Sequence, residues 1–152
     1  IISNYHIYTH KPKSLIPTSI PIIYVAGILP NMSEMIIAKK LSAELTLHNK
    51  NVLIISSDPM DSLNNYELFP WDLISKLDSV YQVNQWINSK IFEYHPDYII
   101  IGVPGGIIQS EKYNPLCDYG LIHYVMKNAM PPSYIVCSVL ADTVTTGRPF
   151  TC

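Results

Sequence analysis

Tyr98-Ile99-Ile100-Ile101-Gly102-Val103-Pro104-Gly105-Gly106-Ile107 is the stretch that decides the fold. A single glycine interrupts the apolar and aromatic residues of positions 98–103, which leaves no polar face for water. Such a run suits a central parallel strand covered on both sides. Pro104-Gly105-Gly106 then reads as a turn. Its glycines are free to take backbone angles closed to other residues, and so to aim N–H groups into one shared space. Ligands of open α/β sheets gather outside the carboxyl ends of such strands. The stretch therefore gives a location for function before it gives a chemistry.

Working upstream, His95-Pro96-Asp97 stops a helix expected over about 77–94, whose Val80, Val83, Trp86, Ile87 and Ile91 share one face. Val52-Leu53-Ile54-Ile55-Ser56 is a second strand without a polar face, ended by Ser57-Asp58-Pro59. Residues 60–73 carry no clear period, with Pro70 breaking them and Trp71 expected to anchor them. Before the second strand, a helix over about 33–49 repeats Ile37, Leu41 and Leu45 at four-residue steps, with Ser33 placed as its N-cap. Ile20-Pro21-Ile22-Ile23-Tyr24-Val25-Ala26 is the first strand, Pro21 being tolerated at its start. Downstream lie a polar excursion over 109–116, a helix over about 119–129 closed by Met130-Pro131-Pro132, and a last strand over 134–139.

Strands alternating with helices imply right-handed crossovers. The expected fold class is α/β: three layers, a mostly parallel sheet with helices on both faces, Rossmann-like or P-loop-like in layout. Residues 1–19 read as an irregular N-terminal arm or linker and 20–152 as a single α/β domain. The chain begins at Ile1 rather than Met, so it is expected to be a fragment of a longer protein.

Composition narrows the function classes. Of the 152 residues 48% are apolar and 14% charged, and the formal net charge is −2. The ten Lys and Arg are scattered, which gives no electrostatic footprint for nucleic acid or an anionic membrane. Nothing approaches the ~18 consecutive apolar residues of a membrane helix. No secretory leader is expected. Cys117, Cys137 and Cys152 are odd in number and unevenly spaced, which argues against a disulfide framework and for a reducing, cytoplasmic setting. Cys117 and Cys137 read as small packed hydrophobes. Cys117 with Asp118 and His123 has the wrong count and spacing for zinc, and no metal or other cofactor is expected.

The strand tips near Gly27, Asp58, Gly105 and Leu140 should share one edge. Ala26-Gly27-Ile28-Leu29-Pro30-Asn31-Met32-Ser33-Glu34 sits where a nucleotide-binding α/β protein keeps its phosphate loop, which needs glycines, a lysine and a hydroxyl. Gly27 matches the opening glycine. The second glycine falls on Met32, the lysine on Ser33 and the hydroxyl on Glu34, whose carboxylate would repel phosphate. The acidic position that organises magnesium in such hydrolases falls on Gly102. The helix start could still hold a small anion through its free N–H groups.

The candidate ligand-binding residues are therefore Gly27, Asn31, Ser33, Asp58, Gly105 and Gly106, and none is catalytic. Asp58 either orients a ligand or closes an Asx turn before Pro59, the turn being the favoured reading. Asp97 lies at the wrong end of its strand and is expected to serve the turn after Pro96. His95 and His123 read as structural or surface residues, and Gly-x-Ser-x-Gly is absent. Tyr113, Tyr119 and Tyr124 surround the polar excursion, where loop tyrosines suit protein or peptide contact. Tyr124, on its helix, reads as a half-buried core residue.

Two resemblances follow from these residues. The strand ending at Gly27, the helix with Ala38-Lys39-Lys40-Leu41, the strand 52–56 with Asp58, and Pro104-Gly105-Gly106 together resemble P-loop ATPases of the chromosome-partitioning, septum-site and dethiobiotin-synthetase type. A more specific resemblance, strongest over 96–133, is to bacterial peptide maturation system proteins of ribosomal peptide natural-product clusters. Pro96-Asp97-Tyr98-Ile99-Ile100-Ile101-Gly102-Val103-Pro104-Gly105-Gly106-Ile107-Ile108 carries it, with Asp118-Tyr119-Gly120-Leu121-Ile122-His123-Tyr124-Val125 and Asn128-Ala129-Met130-Pro131-Pro132. The first turn departs from that family, whose loop carries an Asn-Lys pair where this chain has Leu29-Pro30-Asn31-Met32-Ser33. The resemblance implies that this chain is the C-terminal domain of a longer protein and takes part in peptide maturation; the loss of both nucleotide motifs and the tyrosine-rich edge add the expectation of a non-catalytic accessory or binding role. Its partners would be a precursor peptide or a modifying enzyme of the same cluster, with self-association left open and neither nucleic acid nor membrane involved. The alternative is a nucleotide-binding ATPase or GTPase with an atypical phosphate loop.

Overall fold

The computed structural model describes residues 14–29, 34–58, 60–61, 66–108 and 120–139. Nine elements follow in chain order: β1 (Ile22–Gly27), α1 (Glu34–Leu47), β2 (Val52–Ser56), β3 (Glu67–Leu68), α2 (Trp71–Ile74), α3 (Ser79–Tyr94), β4 (Tyr98–Gly106), α4 (Leu121–Ala129) and β5 (Tyr134–Ser138). The strands form one sheet in the order β3-β2-β4-β1-β5, every neighbouring pair parallel. This is the expected α/β architecture, with β4 and β1 side by side at its centre.

Alternation along β1 and β4 divides the core in two. Ile22, Tyr24, Ile99, Ile101 and Val103 face one layer, where α3 and α4 supply Val83, Ile87, Ile122, Val125 and Met126. Ile23, Val25 and Ile100 face the other, covered by α1 through Ala38, Met35, Ile37, Leu41 and Leu45. Buried on both faces, the central strands need the unbroken apolar runs that mark them in the sequence.

Polar side chains fasten the helices to this sheet. Tyr24 is buried, and its hydroxyl reaches the carbonyls of Met126 and Met130 at 2.9 and 2.5 Å. It thereby serves carbonyls at the C-terminus of α4, that of Met126 also accepting from the Met130 N–H; burial pushes the phenol far above its ordinary range. Asn51 donates to the carbonyls of Tyr94 and His95, where α3 ends with His95 in the left-handed region (φ 46°). The Asp97 carboxylate accepts from the Asn51 N–H at 2.8 Å, so Asp97 does serve the turn at the amino edge. Asn84, buried in α3, binds the N–H and carbonyl of Ile16 and the carbonyl of Ala129, which lashes the irregular arm to α3 and α4.

Four local readings need correction. Pro104-Gly105-Gly106 is not a turn after the strand but its last three residues. Gly27 pairs with Gly106 while Val25 pairs with Gly102, so two steps along β1 match four along β4. The surplus is a bulge, and Gly105 takes φ 84° within it. Cys137 is exposed rather than packed, because β5 is an edge strand with no described element beyond it. Tyr124 is 65% exposed, because α4 buries the stripe Ile122, Val125, Met126 and Ala129 and turns Tyr124 away. Trp71 is largely exposed, packing edge-to-face on Phe69, and it is Phe69 that anchors the segment. Cys117, Tyr113, Tyr119 and the excursion over 109–116 lie outside the described residues.

Candidate functional site

Because every strand runs the same way, the ends of β1, β2 and β4 lie on one edge. Gly27, Asp58, Gly105 and Gly106 are therefore brought together at the carboxyl edge, as their places in the sequence require. Asn31 and Ser33 lie outside the described residues. α1 and α4 both start at this edge, on opposite faces of the sheet, so their first turns flank the tips of β1 and β4.

Several of the described backbone donors at these tips are already engaged. Ile107 and Ile108 both donate to the carbonyl of Ile28, at 2.9 and 3.1 Å. Ile28 donates to the carbonyl of Ser138, and Gly120 to that of Gly106. A phosphate loop works by leaving such N–H groups free to converge on an anion. Here the bulge turns several of them back onto neighbouring carbonyls.

Two side chains that the sequence reading named but did not count among the candidate ligand-binding residues lie at this edge. Glu34 opens α1 and is only 8% exposed, yet its Oε1 has no hydrogen-bond partner among the described residues. An unserved buried acceptor costs about 1–3 kcal/mol and calls for an explanation. His123, in the first turn of α4, is half-buried with Nε2 3.4 Å from the Gly105 carbonyl. Since that carbonyl can only accept, the contact is a hydrogen bond in the tautomer that carries the proton on Nε2. Burial lowers the His123 pKa, against the opposing pull of the Gly105 carbonyl and of Glu34, which is near enough to act on it. Signals for both were present. Glu34 precedes buried Ala38 by one helical turn, and His123 follows Ile122 on the rim of the apolar stripe of α4.

Asp58 is exposed. Its Oδ1 accepts from the Met60 N–H at 2.9 Å, which makes the turn favoured by the sequence. Beneath it Asp61, 2% exposed, accepts from the Ser56 hydroxyl and from Lys39, each at 2.6 Å. The Asp61 hydrogen bond holds the Lys39 ammonium above its ordinary range. Lys39 also lies 5.8 Å from the centre of the Tyr66 ring. The lysine of this region is thus tied to Asp61 after β2.

Met35 explains the absent acid of β4. Gly102 lies on the α1 face, and a β-carbon there would overlap the Met35 sulfur. The position that would carry a magnesium-organising carboxylate is therefore closed by a thioether. No group of three or more His, Cys, Asp or Glu suited to a metal ion occurs among the described residues. No described helix is long and apolar enough to cross a membrane.

At the opposite edge, a half-open recess of about 330 Å³ lies between Leu15–Thr18 of the arm and the end of α4. Its buried amide, Asn84, spends both N–H groups on the Ile16 and Ala129 carbonyls, so neither is free to orient a ligand. The carboxyl edge remains the better candidate. No protein-family model matches the chain, and no curated protein matches it.

Proposed function

We propose that this domain is a non-catalytic binding module on a P-loop-like α/β scaffold, acting in a peptide maturation system. Its partner would be a precursor peptide or a modifying enzyme of the same cluster. The observation that carries the first half of this reading is Glu34: a buried carboxyl group with an unserved oxygen occupies the first turn of α1, where a nucleotide hydrolase needs a hydroxyl for magnesium. Lys39 bound to Asp61, the Ile107 and Ile108 N–H groups turned back on Ile28, and Met35 over Gly102 support the same conclusion from separate elements. The second half rests on the resemblance carried by residues 96–108 and 118–132. Titration of the purified domain with the cluster's precursor peptide, followed by calorimetry, tests it. Saturable binding supports the reading; its absence for both the precursor and the modifying enzymes removes the peptide-maturation role.

A further inference from the structure

β5 ends the sheet, and its residues 134–137 are all exposed although each is apolar or aromatic, Tyr134 and Ile135 at 62% and 63%. Alternation sets Tyr134 and Val136 toward one face and Ile135 and Cys137 toward the other, so neither face is sealed by a described element. Ser138 turns its carbonyl to β1, where Ile28 donates to it at 3.1 Å. By the two-residue period of a strand, Ile135 and Cys137 turn their backbone N–H and carbonyl groups away from β1. Proteins blunt such an edge with charge or proline. Residues 134–139 contain neither.

The amino end of β5 lies beside the arm. Asn84 holds the N–H and carbonyl of Ile16 together with the carbonyl of Ala129, and Leu15 and Pro17 line one recess with Met130 and Pro131. Pro131 stands only three positions before Tyr134 (134 − 131). Residues 1–13 lie outside the described ones, and their sequence contains Tyr5-His6-Ile7-Tyr8-Thr9-His10. Tyr5, Ile7, Tyr8 and Thr9 are β-branched or aromatic, Ser3-Asn4 precedes the run and Pro12 follows it, which is the composition of a short strand.

We infer that residues 5–10 add to the free edge of β5 as an antiparallel strand. The direction follows from the tether. The chain has to reach Ser14 near the start of β5, so a segment lying along β5 runs toward that start, against β5 itself. Residues 11–14 span about 13 Å when extended, and neighbouring strands lie about 4.8 Å apart, so the connection is long enough. Six residues cover about 20 Å and the five of β5 about 17 Å, so the lengths match. A second copy is less suited to this edge. Five residues offer far less than the roughly 1,600 Å² of a standard interface. A tethered segment needs no such area, because a short linker supplies a roughly millimolar effective concentration. Residues 140–152 leave β5 at its other end, and Gly147 and Pro149 shorten any strand they could return. The inference concerns the edge of the sheet and stands independently of the binding role proposed above.

The test is NMR on the complete chain at two well-separated concentrations. Nuclear Overhauser contacts should join residues 5–10 to 134–138 in antiparallel order. Amide exchange at Ile135 and Cys137 should be slowed at least about tenfold relative to a chain lacking residues 1–12. Amides of Ile23 and Ile100, at the centre of the sheet, show whether the shortened chain folds. Of Ile7→Pro and Tyr8→Pro, made separately, one removes an N–H facing β5 and should release the same two amides. If the shortened chain fails to fold, the Overhauser contacts and the two proline variants still decide. Free exchange of Ile135 and Cys137 in the complete chain overturns the inference, as does protection undiminished in the folded shortened chain or in both proline variants. Protection that falls on dilution would assign the edge to a second copy, and contacts from residues 140–152 would assign it to that segment; either result overturns the inference too.

Discussion

Met35 Sδ occupies the space directly over Gly102, so that any β-carbon at position 102 would overlap it. This contact seals α1 against β4 at the place where a nucleotide hydrolase of similar layout would open a magnesium site. Gly102→Ala should lower the unfolding free energy by about 1 kcal/mol at most, because the atom in its way belongs to the flexible Met35 side chain, which can swing aside. Met35→Ala in the same chain should recover part of that loss, so that the double variant is less unstable than the sum of the singles. Denaturant titration of the four chains measures it, and strict additivity would show that Met35 is not what closes position 102.

Among the described residues, side chains of two different elements reach the Asp61 carboxylate: Ser56 on β2 and Lys39 on α1. Asp61→Ala and Ser56→Ala should each destabilise the chain by about 1–3 kcal/mol, because each leaves a buried group short of its partner. Together they should cost less than their sum, since both remove the same hydrogen bond. Lys39→Met should cost less than Asp61→Ala, its ammonium being partly exposed and readily solvated. Chemical denaturation at neutral pH gives the ranking.

The Asp58 carboxylate is accounted for by the Met60 N–H. Asp58→Asn keeps an acceptor for that turn and should leave stability within about 0.5 kcal/mol, whereas Asp58→Ala should cost about 1 kcal/mol. Chemical denaturation of the two variants measures the difference, and equal costs for Asp58→Asn and Asp58→Ala would show that the turn does not rest on the Asp58 acceptor.

His123 links stability to pH with a definite sign. Burial holds its folded-state pKa below the ordinary 6.5. The unfolded chain therefore takes up the proton first as pH falls. The stability associated with the neutral ring is intact above about pH 6.5 and declines on acidification until the folded-state pKa is passed. His123→Gln should flatten that part of the pH–stability curve. Thermal melts from about pH 7.5 to 5 compare the two chains, and an unchanged slope would exclude His123 as its source.

The fold was legible because its signals were local. The apolar runs at 52–56 and 98–103 have no polar face, and a strand lacking one has to be buried on both sides. The parallel arrangement then followed from the helices between them. The bulge was not legible, since Pro104-Gly105-Gly106 serves equally for a turn or for an irregular strand end. Only the pairing of Gly27 with Gly106 decides between them. Nor could the sequence place Glu34 and His123 at one edge, because they lie 89 positions apart (123 − 34) on helices that cover opposite faces of the sheet. Asp58 was easier, since an Asx turn is a property of three neighbouring residues. The exposure of Cys137 depends on β5 lying at the edge of the sheet, which no local pattern encodes.

The central proposal is that this carboxyl edge does not bind a nucleotide. Isothermal titration calorimetry with ATP and with GTP, each with and without magnesium, tests it most directly on a sample shown by circular dichroism to be folded. The account predicts no saturable heat in any of the four titrations. Magnesium-dependent binding in the micromolar range would contradict it.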